Sequence, residues 1–216
     1  MSSYALTMMS GDINTRSKSD RRLYFLKDAI LLPLITIGIW GIVVLYRLIS
    51  RRDEHLRREN AMNLNLLQAV KERVQAKGID PHSLPEVAAL ESAVRQKAEQ
   101  EGAKGAALWL ILSLVTGIAG LYVWYFLTVD FYWHEQRQVD VVNKANQVLQ
   151  RVGAPTFIQY SPVLPERHYW LNLLASVMTI GIWGIFWYYR ILSDPNRHFE
   201  NQWAFEDRLP SAIASA

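Results

Sequence analysis

Cysteine is missing from the whole chain, and charge is missing from three long stretches of it. The first absence rules out a disulfide framework and a thiolate metal site, and it leans toward a cytosol-facing protein. The second absence says more. Residues 29–46, 105–129 and 169–189 contain no Asp, Glu, Lys or Arg. At about 1.5 Å of rise per residue, helical runs of about 18 to 25 residues are long enough to cross a hydrocarbon core about 30 Å thick. A helix on a soluble domain keeps a polar stripe, and these runs have none. In a chain of 216 residues too little sequence remains to wrap three such helices in a soluble core. The expected fold class is therefore an all-α integral membrane protein with three repeated membrane segments.

Other absences narrow the chemistry. The pair His134-Glu135 starts a zinc-protease pattern, but position 138 is Gln, so the second histidine is lacking. There is no Gly-rich phosphate loop, no serine nucleophile elbow and no paired-carboxylate motif. The expectation is no enzyme, no catalytic residue, no cofactor and no assigned metal ligand. With no ionisable residue inside a run, the usual mark of an ion or proton pathway is also missing. The formal charge of +3 comes from basic residues clustered beside the runs, which suits anionic lipid. No basic stripe lies elsewhere, so nucleic acid is not an expected partner. Arg16, Lys18, Arg21, Arg22 and Lys27 precede a run too long for a signal h-region, with no small-residue cleavage site after it, so that run reads as a retained anchor.

What the chain does have is a repeat. The heptapeptide Thr-Ile-Gly-Ile-Trp-Gly-Ile beginning at Thr36 recurs unchanged from Thr179. In the same register Tyr46 and Arg47 match Tyr189 and Arg190, Ser50 matches Ser193, and His55 matches His198. The middle run joins through Gly117, Gly120, Tyr125 and His134. The shared pattern is Gly-Ile-x-Gly, a Tyr five residues on and a His nine further. Chance can repeat Ile and Leu, but it rarely repeats Gly, Tyr and His at fixed spacing three times, so one structural unit is used three times. The pattern T-x-G-I-x-G-x-x-x-x-Y-R resembles a motif of uncharacterised bacterial membrane domains classed only as of unknown function. The resemblance covers three segments of about 25 residues. The middle copy departs from it, with Ala119 for Trp and Phe126 for Arg. It implies a bacterial membrane protein and brings no activity with it.

The spacing divides the chain into a polar N-terminal segment (1–22), repeat 1 (23–60), an extramembrane helical hairpin (61–104), repeat 2 with a helical extension (105–152), a Pro-containing linker (153–166), repeat 3 (167–203) and a C-terminal tail (204–216) expected to fray from Leu209 to Ala216. In the extramembrane hairpin Leu67, Val70 and Val74 share one face and Val87, Leu90 and Val94 another, with Gly78 as a stop and Ser83 with Glu86 as a capping box. These faces need a partner, either each other or a second subunit.

Two topologies compete. The positive-inside rule gives a tie, since five basic residues precede the first run and Arg47, Arg51, Arg52, Arg57 and Arg58 follow it. A tie is what a re-entrant hairpin would give, and Gly38, Gly41, Gly117, Gly120, Gly181 and Gly184 supply the turn. The same glycines would also let straight spanning helices pack closely. Hairpins or broken helices are favoured over straight spans. His55, His134 and His198 either sit in the headgroup layer, the preferred reading, or converge on a metal or haem. Arg47, Arg51, Arg52 and Arg190 either grip lipid phosphates or form a solvated face.

The resulting expectation is a non-enzymatic scaffold or self-assembling protein of a bacterial inner membrane, with most of its mass facing the cytoplasm. Its partners would be the lipid bilayer and a second copy or a larger membrane complex. A small channel or transporter component is the rival class, and a lipid-acting membrane enzyme is third.

Overall fold

Each uncharged run contains its own helix break. In the first and third copies a Thr-Ile-Gly sequence ends one helix and begins the next. Ile37 and Gly38 take φ of 50° and 86°, and Ile180 and Gly181 take 51° and 88°. The threonine holds the turn from both sides. Thr36 Oγ1 donates to Leu32 O (2.7 Å) and accepts from Trp40 N (2.9 Å). Thr179 repeats this with Ala175 O (2.7 Å) and Trp183 N (2.9 Å). The middle turn is one residue tighter. Thr116 bonds Leu112 O and Ala119 N, and Gly117 follows directly with φ 63°. Each threonine thus satisfies an orphan carbonyl of one helix and an orphan N–H of the next.

A computed structural model describes residues 4–155 and 157–215; residues 1–3 of the polar N-terminal segment, Thr156 in the linker and Ala216 at the end of the tail lie outside the described residues. Among the described residues all regular structure is helical. Helices α1 (Tyr4–Asn14) and α2 (Arg16–Ser19) lead into a π-helical stretch, Phe25–Leu31, that continues as α3 (Leu32–Ile35) up to the first turn. Then come α4 (Ile39–Ala76), α5 (Pro85–Gln100), α6 (Ala106–Thr116), α7 (Ala119–Arg151), α8 (Tyr169–Met178), α9 (Ile182–Glu206) and α10 (Leu209–Ala214).

At each break the chain doubles back. Trp183 Nε1 reaches across its turn to Asn172 Oδ1 (3.0 Å), Trp40 Nε1 to Asp28 Oδ1 (3.4 Å), and the Trp109 ring meets Tyr122 (4.7 Å between centroids). These are helical hairpins, and no helix among the described residues is long and apolar enough to cross a membrane. The turn splits each apolar run into limbs too short to span, so the straight-span alternative and the membrane part of the expected fold class find no support in the helices.

The second limbs are the starts of α4, α7 and α9, which run on side by side as the body of the molecule. Near the hairpins they bury Val44, Leu48, Val123, Leu127, Trp187 and Leu192 in one apolar cluster. At the far end Leu66, Val70 and Val74 of α4, Val87, Leu90 and Val94 of α5, and Val141, Ala145 and Val148 of α7 form a second. The two amphipathic faces of the hairpin over residues 61–104 thus pack on each other and on α7, within one chain. Its first limb is the continuation of the repeat-1 helix, which runs unbroken to Ala76 before Gly78 turns at φ 75°. The capping box does not form. Ser83 Oγ bonds Asp80 O, and Leu84 occupies the N-cap position of α5. Nor does the described part of the tail fray, since Leu209 and Ile213 of α10 are buried against the second cluster.

One expected feature fails for a clear reason. Pro195 lies inside α9 and removes the N–H that would bond Ile191 O. Arg51 fills the gap, donating from Nη2 to Ile191 O (2.9 Å) and Leu192 O (3.3 Å), and it is buried rather than spread on lipid. Arg52 is buried as well, held by Asp130 (2.7 Å), Asp53 (2.7 Å) and Gly102 O (2.8 Å). Neither can be a headgroup contact. Among the glycines, Gly38, Gly117 and Gly181 make the turns, and Gly184 approaches Ser176, whose Oγ lies 3.6 Å from where a Cβ would stand. Gly41 and Gly120 face open space and do neither.

Replacing Thr36 or Thr179 by valine keeps the shape and deletes both capping bonds, so each change should cost about 0.5–2 kcal/mol, with serine recovering most of it. Chemical unfolding of the purified chain in mild detergent, followed by circular dichroism, measures this. Valine variants as stable as the parent would show that the threonines do not hold the turns.

Candidate functional site

Nine residues separate the repeated Tyr from the repeated His, and at 100° per residue nine steps turn a helix by half a circle. The two motif positions must therefore point in opposite directions. Tyr46, Tyr125 and Tyr189 lie on the outside of the hairpins, each about two-fifths exposed. His55, His134 and His198 all point inward and are completely buried. The structure scatters the tyrosines and gathers the histidines. The headgroup-layer placement of the histidines is thereby corrected: they form the middle of the protein interior.

The three imidazoles meet where α4, α7 and α9 come together. Their ring centroids lie 4.9 to 5.2 Å apart, and one ligand nitrogen from each falls within 4.8 Å of the others. His198 Nε2 and His55 Nε2 are 3.0 Å apart, while His134 Nε2 is buried and meets no hydrogen-bond partner. Phe131 and Phe199 pack on the rings, with centroids 4.9 to 5.8 Å from His55.

Behind each ring stands a different carboxylate. His55 Nδ1 is 2.8 Å from Asp20 Oδ1, His134 Nδ1 is 3.1 Å from Glu101 Oε2, and His198 Nδ1 is 2.8 Å from Glu135 Oε1. These carboxylates are anchored in turn. Asp20 accepts from Arg58 Nη2 (3.1 Å), Ser19 Oγ (2.7 Å) and Trp203 Nε1 (2.7 Å). Glu101 pairs with Lys97 (2.8 Å), and Glu135 accepts the backbone N–H groups of Val163 (2.9 Å) and Leu164 (2.8 Å). One further turn along, Gln202 Nε2 donates to both oxygens of Glu59 (2.8 Å each), and Asn63 and Gln138 exchange amide hydrogen bonds (2.9 and 3.1 Å).

Burial governs the protonation of this column. It pulls His55 down to about 4, against the opposing effect of Asp20, and His134 is held well below the ordinary histidine value by burial and by the neighbouring Lys97. Both imidazoles are neutral at neutral pH. Burial by itself would raise Asp20 and Glu101, but His55 and Arg58 beside the first, and His134 and Lys97 beside the second, keep both carboxyls below the usual range. Glu59 goes the other way, pushed up to about 8 by burial and by Glu206.

The sequence reading assigned no metal ligand, and it missed every group behind the rings. Three of the polar positions were visible in the repeat: Glu59, Gln138 and Gln202 each lie four residues after a histidine, on the same helix face. Asp20, Glu101 and Glu135 occupy no common repeat position, so only the fold brings them to the rings. Arg47 and Arg190 remain partly exposed on the hairpins, with their guanidinium carbons 4.9 Å from the Trp40 ring and 4.8 Å from the Phe186 ring.

No family model matches the chain, and no curated protein or solved structure matches it.

The buried groups make stability pH-dependent in two opposed ways. Unfolded His55 takes a proton near its ordinary 6.5 and the folded ring refuses it until about 4, so stability falls as pH drops through that window. Unfolded Glu59 ionises near 4.5 but folded Glu59 only near 8, so stability is full below 4.5 and is lost as pH rises through 8. Glu59→Gln cannot ionise, so its melting temperature should lose less than the parent's between about pH 5.5 and about pH 8.5. Identical pH slopes for the two proteins would exclude a protonated Glu59.

Proposed function

We propose that the chain is a non-enzymatic scaffold of a bacterial inner membrane, seated in one leaflet by its three hairpins, with the helical body on the cytoplasmic side. The observation that carries this reading is the pair Ile37 and Ile180. Both adopt the left-handed conformation, where a β-branched side chain is strained by roughly 1–2 kcal/mol, and both are 94% exposed at the hairpin tips. Asn or Gly would suit that backbone better in water. An isoleucine there makes sense where its side chain is buried in hydrocarbon.

Dimensions support the same reading. Limbs such as α6 and α8, of 11 and 10 residues, are about 15 Å long, which is half of a hydrocarbon core about 30 Å thick. Because α4, α7 and α9 run the same way from their turns to the histidines, the three tips share one end of the molecule, about 24–27 Å from the imidazole layer. Leu34, Ile35, Val115, Ile118, Val177 and Met178 are exposed around those tips. Tyr46, Tyr125 and Tyr189 follow about 10–14 Å behind them, where an aromatic belt would lie, and Arg47 and Arg190 follow at about 15 Å, within reach of phosphates. Re-entrant backbone needs protein cover in hydrocarbon, and the hairpins cover one another through pairs such as Trp124 with Trp187 (4.8 Å) and Phe25 with Tyr189 (5.6 Å). The apolar flanks left over suit a second copy or a complex partner. The polar column is closed toward the tips by apolar side chains, which favours scaffolding over conduction. The likeness of the repeat to bacterial membrane domains points the same way.

Flotation with phosphatidylethanolamine–phosphatidylglycerol vesicles tests the reading. In the double variant Ile37→Asn, Ile180→Asn the body should be as stable as the parent or more so, because asparagine tolerates the left-handed turn. Partition into vesicles should nevertheless fall at least about tenfold per site, from loss of about 1.5–3 kcal/mol of side-chain burial. Unchanged flotation would overturn the leaflet insertion. Single cysteines at the exposed Ser17, Ser92, Asn143 and Ser211 should all react from the cytoplasmic side, and labelling of any two from opposite sides would exclude the one-leaflet arrangement.

A further inference from the structure

With neutral rings, the hydrogen bonds of the three histidines do not close on the side chains around them. A neutral imidazole has one N–H and one bare nitrogen. If each ring turns its N–H outward to its carboxylate, the inward nitrogens of His55 and His198 are two bare lone pairs facing each other at 3.0 Å. If instead one of those two rings turns its N–H inward to satisfy the other, its own Nδ1 becomes a bare lone pair 2.8 Å from a carboxylate oxygen. With neutral rings either tautomer leaves acceptor against acceptor in a buried site, and in both the buried Nε2 of His134 has no partner. A positive centre among the three inward nitrogens removes all of these conflicts together.

We propose that His55, His134 and His198 bind one divalent transition-metal ion of the zinc class through their three Nε2 atoms. Imidazole nitrogens bind zinc at about 2.0–2.1 Å, which in a tetrahedral shell sets them about 3.4 Å apart. The three ligand atoms, all within 4.8 Å of one another and one pair at 3.0 Å, need a shift of about an ångström to reach that shell. Neutral imidazole is a ligand suited to zinc, copper, nickel and iron and not to calcium or magnesium. A carboxylate or carbonyl behind each metal-bound histidine is the usual device for fixing its tautomer, and Asp20, Glu101 and Glu135 stand in that place. The charge also fits locally. Arg58 pairs with Asp20, and Lys97 and Arg137 with Glu101, whereas Glu135 is met by two backbone N–H groups and His198, so the carboxylate behind His198 is the one that a bound cation would balance. With the rings fully buried against Phe131 and Phe199, the ion's role is structural: it pins α4, α7 and α9, one from each repeat. This inference does not depend on the membrane reading, and its test does not involve lipid partition.

The full chain, purified in mild detergent without chelator or affinity-tag metal, should carry about one equivalent of metal by elemental analysis. After stripping with a strong chelator, Zn²⁺ titration should restore one equivalent and raise the melting temperature, and Co²⁺ should give the visible absorption of a nitrogen-ligated, low-coordinate ion. His134→Gln should abolish the cobalt spectrum. Glu101→Gln, which leaves all three ligands in place, should weaken zinc affinity about 10- to 100-fold. If the histidine variant fails to fold, the stripped parent still decides. A stripped chain that takes up neither Zn²⁺ nor Co²⁺ overturns the proposal, as does metal uptake that His134→Gln leaves unchanged in a folded protein.

Discussion

Everything in this molecule is arranged around a buried polar column between three helices that run in the same direction. Parallel helices from a repeat bring equivalent positions to the same height, so a polar residue in one copy meets polar residues in the others. The layer Arg51, Asp130 and Asp194 is followed four residues on by the three histidines, and then by Glu59, Gln138 and Gln202. Burying such groups unpaired would cost several kcal/mol, so whatever a layer cannot satisfy within itself, as Gln202 and Glu59 do, has to be met by other groups. That demand explains the peripheral elements. Segment 15–24 brings Asp20 and Ser19, α5 brings Lys97 and Glu101, the linker lends two backbone N–H groups to Glu135, and Arg51 serves the carbonyl that Pro195 leaves free.

Much of this was legible in the sequence, and the repeat made it so. The three copies, the all-helical class, the break near the paired glycines and the irregular linker all follow from spacing and composition. The inward histidines were legible too, since nine residues after an outward Tyr is the opposite helix face. Spacing alone left the three histidines between a headgroup layer and convergence on a metal or haem. Had the register been carried four residues further, Glu59, Gln138 and Gln202 would have marked an inner face. The carboxylates behind the rings were not legible. Asp20, Glu101 and Glu135 come from a short N-terminal helix end, the end of α5 and the residue next to His134, and no common periodicity links them. Arg51 and Arg52 misled because a basic pair after an apolar run looks like a headgroup anchor. Their true partners are a proline-opened carbonyl and an aspartate on other helices, which only tertiary structure reveals.

The glycines teach a related lesson. Six repeated glycines looked like one device, yet they divide into turn formers (Gly38, Gly117, Gly181), a close approach (Gly184) and two that face open space (Gly41, Gly120). The residue that holds each turn is the threonine beside them, whose hydroxyl bonds in both directions. A repeated residue marks a repeated structural demand, but spacing alone does not say which demand.

Sequences that fold well are consistent from local preference to global packing, and real proteins break that consistency at functional positions. Here the chain breaks it in two places. At the tips, two isoleucines sit in a backbone conformation that glycine or asparagine would occupy without strain, with their side chains turned out of the protein. In the core, three buried imidazoles turn their nitrogens toward one another, with one pair 3.0 Å apart. Neither conflict is relieved by a described residue, and each has the chemistry of a different partner. The strained apolar tip calls for an apolar medium, and the surplus of nitrogen lone pairs calls for a cation. The two lie at opposite ends of the same helical segments, about 24–27 Å apart. The histidine layer sets how the three helix shafts converge, and the convergence of the shafts sets the spacing of the hairpins. A centre that fixes the histidines therefore also fixes the geometry that the apolar end presents.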